Sequence, residues 1–210
     1  MNILAIECSC SHASLCLSKA GAVQLSRSWV AGRNHDEHLF PALREALELL
    51  GDAPLELILV GSGPGSYGGV RVALAAASGV ALVRGSRVVA LCSWDQLSAE
   101  GASILSDAKR GGWALRSPQG QLDVLDTQEV QHALASGACI WSVEPQHVLD
   151  RAGLAVTRCG LIPTAEGLLS SWLAMSEEEQ EACAAQPAEP IYVRPPHITA
   201  PKHKPWEIPN

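Results

Sequence analysis

Residues 61–71 read GSGPGSYGGVR, a turn made almost wholly of glycine, serine and proline between two apolar runs. Glycines admit positive φ, proline stiffens the turn, and free amides at a helix start can face an anion or another subunit. A Walker A loop needs Gly, four residues, then Gly-Lys-Ser/Thr. Gly63 is followed by Gly68, but Gly69 and Val70 come next, so the phosphate-gripping lysine is missing and a P-loop is excluded. Gly63, Gly65 and Gly68 do satisfy G-x-G-x-x-G. The acid that should meet a ribose about twenty residues on is absent: the next apolar strand, residues 87–91, is followed by Cys92, Ser93 and Trp94 before Asp95. The dinucleotide reading is therefore disfavoured.

Nucleophilic and metal chemistry are no better served. Neither Gly61-Ser62-Gly63 nor Gly65-Ser66-Tyr67 makes a G-x-S-x-G elbow, and no activating base or oxyanion site can be assigned. His35 and His38 stand three apart with Asp36 and Glu37 between them, a spacing unlike H-E-x-x-H and without a third ligand; polar residues at a helix start more often cap it or meet solvent. Two readings of Gly63, Pro64, Gly65 and Ser66 stay open, an anion-binding nest or a tight strand-to-helix packing turn. Arg71 is read as anchoring the loop through hydrogen bonds to backbone or to a carboxylate.

Composition narrows the field. The 210 residues carry a net charge of −7, so the isolated chain lacks the basic field that holds nucleic acid. Hydrophobic content of 47 % with 4 % aromatic residues predicts an Ala, Val, Leu and Ile core of α/β type. Seven cysteines, an odd number without a C-x-x-C pair, read as small core residues of a reduced, cytoplasmic protein. No signal peptide is expected at the start, and residues 72–83 are too short and too rich in small residues to span a bilayer.

The elements that must position the loop follow from periodicity. Residues 2–7, 13–18 and 23–29 read as a three-strand meander with a tight turn at Ala20-Gly21. Leu39, Leu43, Ala46, Leu47 and Leu50 recur at helical spacing over residues 35–50; residues 57–60 are a buried strand, 70–83 a helix crowded with small residues, and 87–91 a strand. A short linking helix is expected at 94–100. The meander then begins again at 103–108, 112–116 and 122–125. A helix at 127–135 with Thr127 as cap, a strand at 139–143 and a helix at 165–175 follow, and Glu177–Glu181 is read as a solvated face or frayed helix end. This order predicts two ribonuclease-H-like lobes of the actin and sugar-kinase superfamily, 1–100 and a reduced 101–186, with a proline-rich tail at 187–210. Glu7 and Asp107 fall at equivalent first-strand ends.

These residues resemble the TsaB, or YeaZ, family of bacterial tRNA threonylcarbamoyladenosine biosynthesis proteins, relatives of the glycoprotease-like peptidases. The resemblance rests on NILAIECS at the start, on NHDEHLFP at 34–41, and chiefly on GPGSYGGVR at 63–71, where the family has GPGSFTGLR; DAKR at 107–110 and PIYVR at 190–194 support it. Glu7 in place of the family's usual Asp, Gly68 in place of Thr, and the trimmed second lobe would weaken any nucleotide site on this chain. The resemblance implies a non-catalytic scaffold for a TsaD-like transferase subunit, which would carry the ATP and metal sites and modify adenosine 37 of tRNA, with a TsaE-like ATPase in the complex and a homodimer of the free chain left open. It implies no cofactor or metal here and an interface built from two helices, with His35, Leu39 and Leu43 on one and Val72, Ala75, Ala76 and Gly79 on the other. The alternatives are a small magnesium-ATP enzyme using Glu7 and the 63–66 loop, or a peptidase.

Overall fold

The computed structural model describes residues 1–31, 36–97 and 101–194. Strands β1 (Ile3–Glu7), β2 (His12–Lys19), β3 (Ala22–Val30), β4 (Leu57–Gly61) and β5 (Arg87–Leu91) form one sheet in the order β3-β2-β1-β4-β5. β1 is antiparallel to β2 but parallel to β4. All five residues of β1 and of β4 are buried, because both faces of the sheet centre are covered; this is why these strands read as unbroken apolar runs. Helices α1 (Asp36–Leu50) and α2 (Tyr67–Arg84) cover one face, sharing a core with Leu4, Ile6, Leu15, Ile58 and Val60.

The second sheet repeats the plan at smaller scale. Strands β6 (Ser103–Asp107), β7 (Gly112–Arg116) and β8 (Leu122–Asp126) form the meander, helix α3 (Thr127–Ala135) follows, and β9 (Ile140–Ser142) returns parallel to β6 as β4 does to β1. The order is β8-β7-β6-β9, one strand fewer than in the first sheet. The fold is thus α/β with two ribonuclease-H-like lobes, the second reduced.

Several local details differ from the sequence reading. α3 is capped by Asp126 and not Thr127: Asp126 accepts the Glu129 amide while Glu129 accepts the Asp126 amide, and the Thr127 hydroxyl accepts from the Trp113 indole at 3.1 Å instead. The Glu-rich stretch is a solvated face, Glu177, Glu178, Glu179 and Glu181 being exposed, on a formed helix, α6 (Glu177–Ala185), begun by a capping box between Ser176 and Glu179. Helix α4 (Gln146–Ala152) lacks a side-chain cap and was not anticipated, and of the linking helix only a 3-10 turn at Asp95–Leu97 lies within the described residues. α2 begins at Tyr67, three residues before the predicted start, because the Ser66 hydroxyl accepts the Gly69 amide.

Helix α5 (Ala165–Ala174), in the second half of the chain, crosses back to cover the other face of the first sheet. Leu168, Leu169 and Trp172 pack there with Ile3, Ala5, Leu57 and Leu59, and the Ser14 hydroxyl accepts the Ala165 amide at 2.8 Å. Among the described residues no helix is long and apolar enough to cross a membrane. Because Leu168 is 1 % exposed at this junction, Leu168→Ala should cost about 3 kcal/mol of global stability, read by denaturant unfolding.

Candidate interaction site

The glycine loop is tied to its surroundings by its own backbone. The Gly63 amide donates to the Ser93 hydroxyl at 3.1 Å, the Ser93 amide returns to the Gly63 carbonyl at 2.8 Å, and the Ser66 amide donates to the Ser9 carbonyl at 2.6 Å. A Cβ on Gly65 would stand 2.0 Å from that same Ser9 oxygen. Gly63 and Ser66 thus spend their amides inside the protein, and the geometry favours the packing reading of the loop over an anion nest.

Glu7 lies beneath this loop with no exposed surface. One carboxyl oxygen accepts the Ser9 amide at 2.7 Å; the side chain occupies space that exists only because Gly61 has no Cβ, since one there would come within 2.0 Å of Oε2. Burial pushes the Glu7 carboxyl above the ordinary carboxylate range, against the lowering influence of Ser9, Ser93 and the Cys8 backbone. A carboxyl sealed from solvent is poorly suited to hold a hydrated magnesium ion. Its counterpart Asp107 has a different setting. It lines a cleft of about 550 Å³ between the lobes, together with Ser9, His12, Ser66 and Glu144. Lys109 Nζ lies 2.9 Å from Asp107 Oδ2; burial alone would raise this carboxyl, and the Lys109 hydrogen bonds and charge more than reverse it, holding it below the usual range. Pro64 and Gly65 line the same cleft. Among the described residues no group of three His, Cys, Asp or Glu side chains is placed to hold a metal.

On the far side of the loop, α1 and α2 diverge around an open apolar groove of about 770 Å³, lined by Phe40, Leu43 and Leu47 from α1 and by Val72, Ala76 and Val83 among others from α2. α2 is apolar on all sides: Val70, Ala73, Leu74 and Ala77 face the sheet, which leaves Val72, Ala75 and Gly79 on the outer side. Leu43, Val72, Ala75, Ala76 and Gly79 all line the groove. Leu39 is not among the lining residues: it is fully buried in the first core, to which Leu43, one turn on along the same helix face and 6 % exposed, also belongs. His35 lies outside the described residues. The reading missed Phe40, Leu47, and the strongly exposed Leu82 and Val83 near the end of α2, whose only signal was apolar character in a helix already apolar throughout.

The chain's last described residues, 187–194, form a strap across the loop. The Ile191 amide donates to the Ser62 carbonyl at 2.8 Å, and Ile191 and Val193 pack with Trp94, Ile104 and Trp141. Between them Tyr192 turns outward and stacks on Tyr67, ring centroids 5.2 Å apart. Among the described residues Arg71 anchors neither backbone nor carboxylate: its guanidinium lies 5.0 Å from the Tyr67 ring centre and donates to the Tyr67 hydroxyl.

The linkage sign for Glu7 is set by its raised value in the folded state: the neutral form's contribution is complete below the unfolded value, near 4.5, and is lost as pH rises through the folded one. Glu7→Gln should therefore match the parent's melting temperature near pH 4 and exceed it progressively toward pH 8; equal melting curves at both pH values would contradict a proton-retaining Glu7.

Comparison with known proteins places this geometry. The family model of the tRNA N6-adenosine threonylcarbamoyltransferase TsaD matches residues 29–110, less than half the chain but the part that holds α1, the loop and α2. No curated protein matches. Among solved structures, YeaZ from Pseudomonas aeruginosa is 26 % identical, with a TM-score of 0.67 over 91 % of this chain and 99 % of its own. A second structure, described as an uncharacterized protein with similarity to peptidase YeaZ from Pseudomonas aeruginosa, is also 26 % identical, with a TM-score of 0.67 over 92 % of this chain and 99 % of its own. Sharing its architecture with YeaZ over nearly the whole of both chains, and bearing a segment that the TsaD model recognises, the chain is a YeaZ-like, that is TsaB-like, protein.

Proposed function

We propose that this chain is a non-catalytic scaffold subunit in the synthesis of N6-threonylcarbamoyladenosine in tRNA, docking a TsaD-like transferase subunit onto the α1–α2 face in the cytoplasm. The observation that carries this reading is the groove between the two helices. A Cβ added at Gly68 or Gly79 would meet nothing within 4 Å, so among the described residues no group requires those glycines. A helix from another polypeptide does require small residues if it is to approach closely. Leu82 and Val83 are 88 % and 82 % exposed near the end of α2, and Val83 continues the apolar lining of the groove, as expected of a surface that another polypeptide covers.

The interlobe cleft supports the scaffold side of the reading. Its first-strand acid is sealed from solvent, with its pKa raised by burial, and its second is paired with a lysine, an arrangement that favours a scaffold over a metal-assisted step. In this reading ATP and metal are held by the transferase subunit, a TsaE-like ATPase completes the complex, and RNA is gripped by partners, since this chain's net charge of −7 opposes phosphate binding. Without the partner, two copies would be expected to cover the same face with each other.

Gly79→Arg tests the docking face cleanly, because the new side chain projects into open space and replaces a poor helix former, a gain of about 0.5–1 kcal/mol in helix propensity. The variant should melt no lower than the parent, yet fail to co-elute with the TsaD-like subunit of the same genome on size exclusion. An unchanged complex would overturn the proposal.

A further inference from the structure

We propose that Tyr192, Tyr67 and Arg71 form a cationic aromatic platform that extends the α1–α2 groove and takes a carboxylate-bearing segment of the transferase subunit, so that the C-terminal strap is part of the partner-recognition surface. This rests on the reading that the groove docks that subunit. Three observations carry it.

The first is continuity. Tyr67 and Arg71 directly precede Gly68 and Val72 on α2, and Gly68 and Val72 line the groove. The second is how Tyr192 is held. Ile191 and Val193 are drawn into the cluster with Trp94, and the Ile191 amide is tied to Ser62, so alternation along an extended strap forces the residue between them outward onto Tyr67. Tyr67 and Tyr192 remain 47 % and 40 % exposed although stacked, and Arg71 is exposed beside them. Tyrosine and arginine, already ordered by mutual stacking, lose little further freedom on binding and are over-represented among the residues that dominate interface energetics.

The third is charge. Among the described residues Arg84 is the one charged residue that lines the groove, at the end of α2, and Arg71 stands at its start. A face bracketed by two arginines on a chain of net charge −7 complements an apolar helix that carries carboxylates at its ends. A second copy of this chain would bring the same two arginines and no acid from the described groove lining, so the charge pattern favours a different polypeptide over self-association.

The test is calorimetric titration of the full chain with the TsaD-like subunit from the same genome, at low and high salt. Tyr192→Ala and Arg71→Ala should each weaken binding about tenfold while melting temperature stays within about 2 °C of the parent, and Tyr192→Phe should stay within about twofold. Arg71→Ala should also flatten the salt dependence. Parent-like affinity in both alanine variants, with Gly79→Arg still abolishing the complex, overturns the platform and leaves the docking face standing. An affinity loss matched by a fall in melting temperature overturns it too, since the strap would then serve folding alone. If Gly79→Arg also binds normally, the underlying reading fails and this one with it.

Discussion

The close approach of the glycine loop to the end of β1 is the constraint on which the remaining structure depends. Gly61 leaves room for the Glu7 carboxyl, and Gly65 leaves room for the Ser9 carbonyl that receives the Ser66 amide. With those two Cβ atoms missing, the chain leaves β4, presses against β1 and enters α2 within a few residues. Ser66 then caps α2 and aims it across the sheet. A bulkier turn would lift the helix off its bed, and with it one wall of the groove.

That geometry also sets the character of the interlobe cleft. The acid at the first strand end has been drawn under the loop and out of water, where burial raises its pKa, while the equivalent acid of the second lobe is paired with Lys109. The same glycines that bring β1 and the loop together therefore also enclose the nearest carboxyl. The apolar groove lies elsewhere, between α1 and α2.

The two halves of the chain are more interwoven than a simple duplication would require. α5 lies on the first sheet, and the strap at 187–194 reaches from the loop to the cluster under the second sheet. The reduced second lobe has a four-stranded sheet, and part of what a full lobe would keep for itself is used to brace the first. The buried Ser14–Ala165 hydrogen bond and the Trp172 packing are the contacts by which this bracing is made.

Local chemistry alone was enough to read most of the elements. The strands at 3–7 and 57–61 were legible because burial on both faces demands continuous apolar runs, and the loop because few sequences other than GSGPGS can turn so tightly. The helix at 177–185 was equally legible, through the Ser-x-x-Glu capping box at 176–179, but the run of glutamates around it obscured the signal. Periodicity could not say which side of α2 faces outward, since a helix apolar all round has no preferred face until a sheet takes one. Nor could it tell that Leu39 is wholly sealed in the core while Leu43, four residues on in the same core, also reaches the groove wall. The sealing of Glu7, the return of α5 to the first sheet and the stacking of Tyr192 on Tyr67 join residues about 54, 74 and 125 positions or more apart, and such long-range contacts are set by packing density and excluded volume in three dimensions. Spacing along the chain carries no record of them.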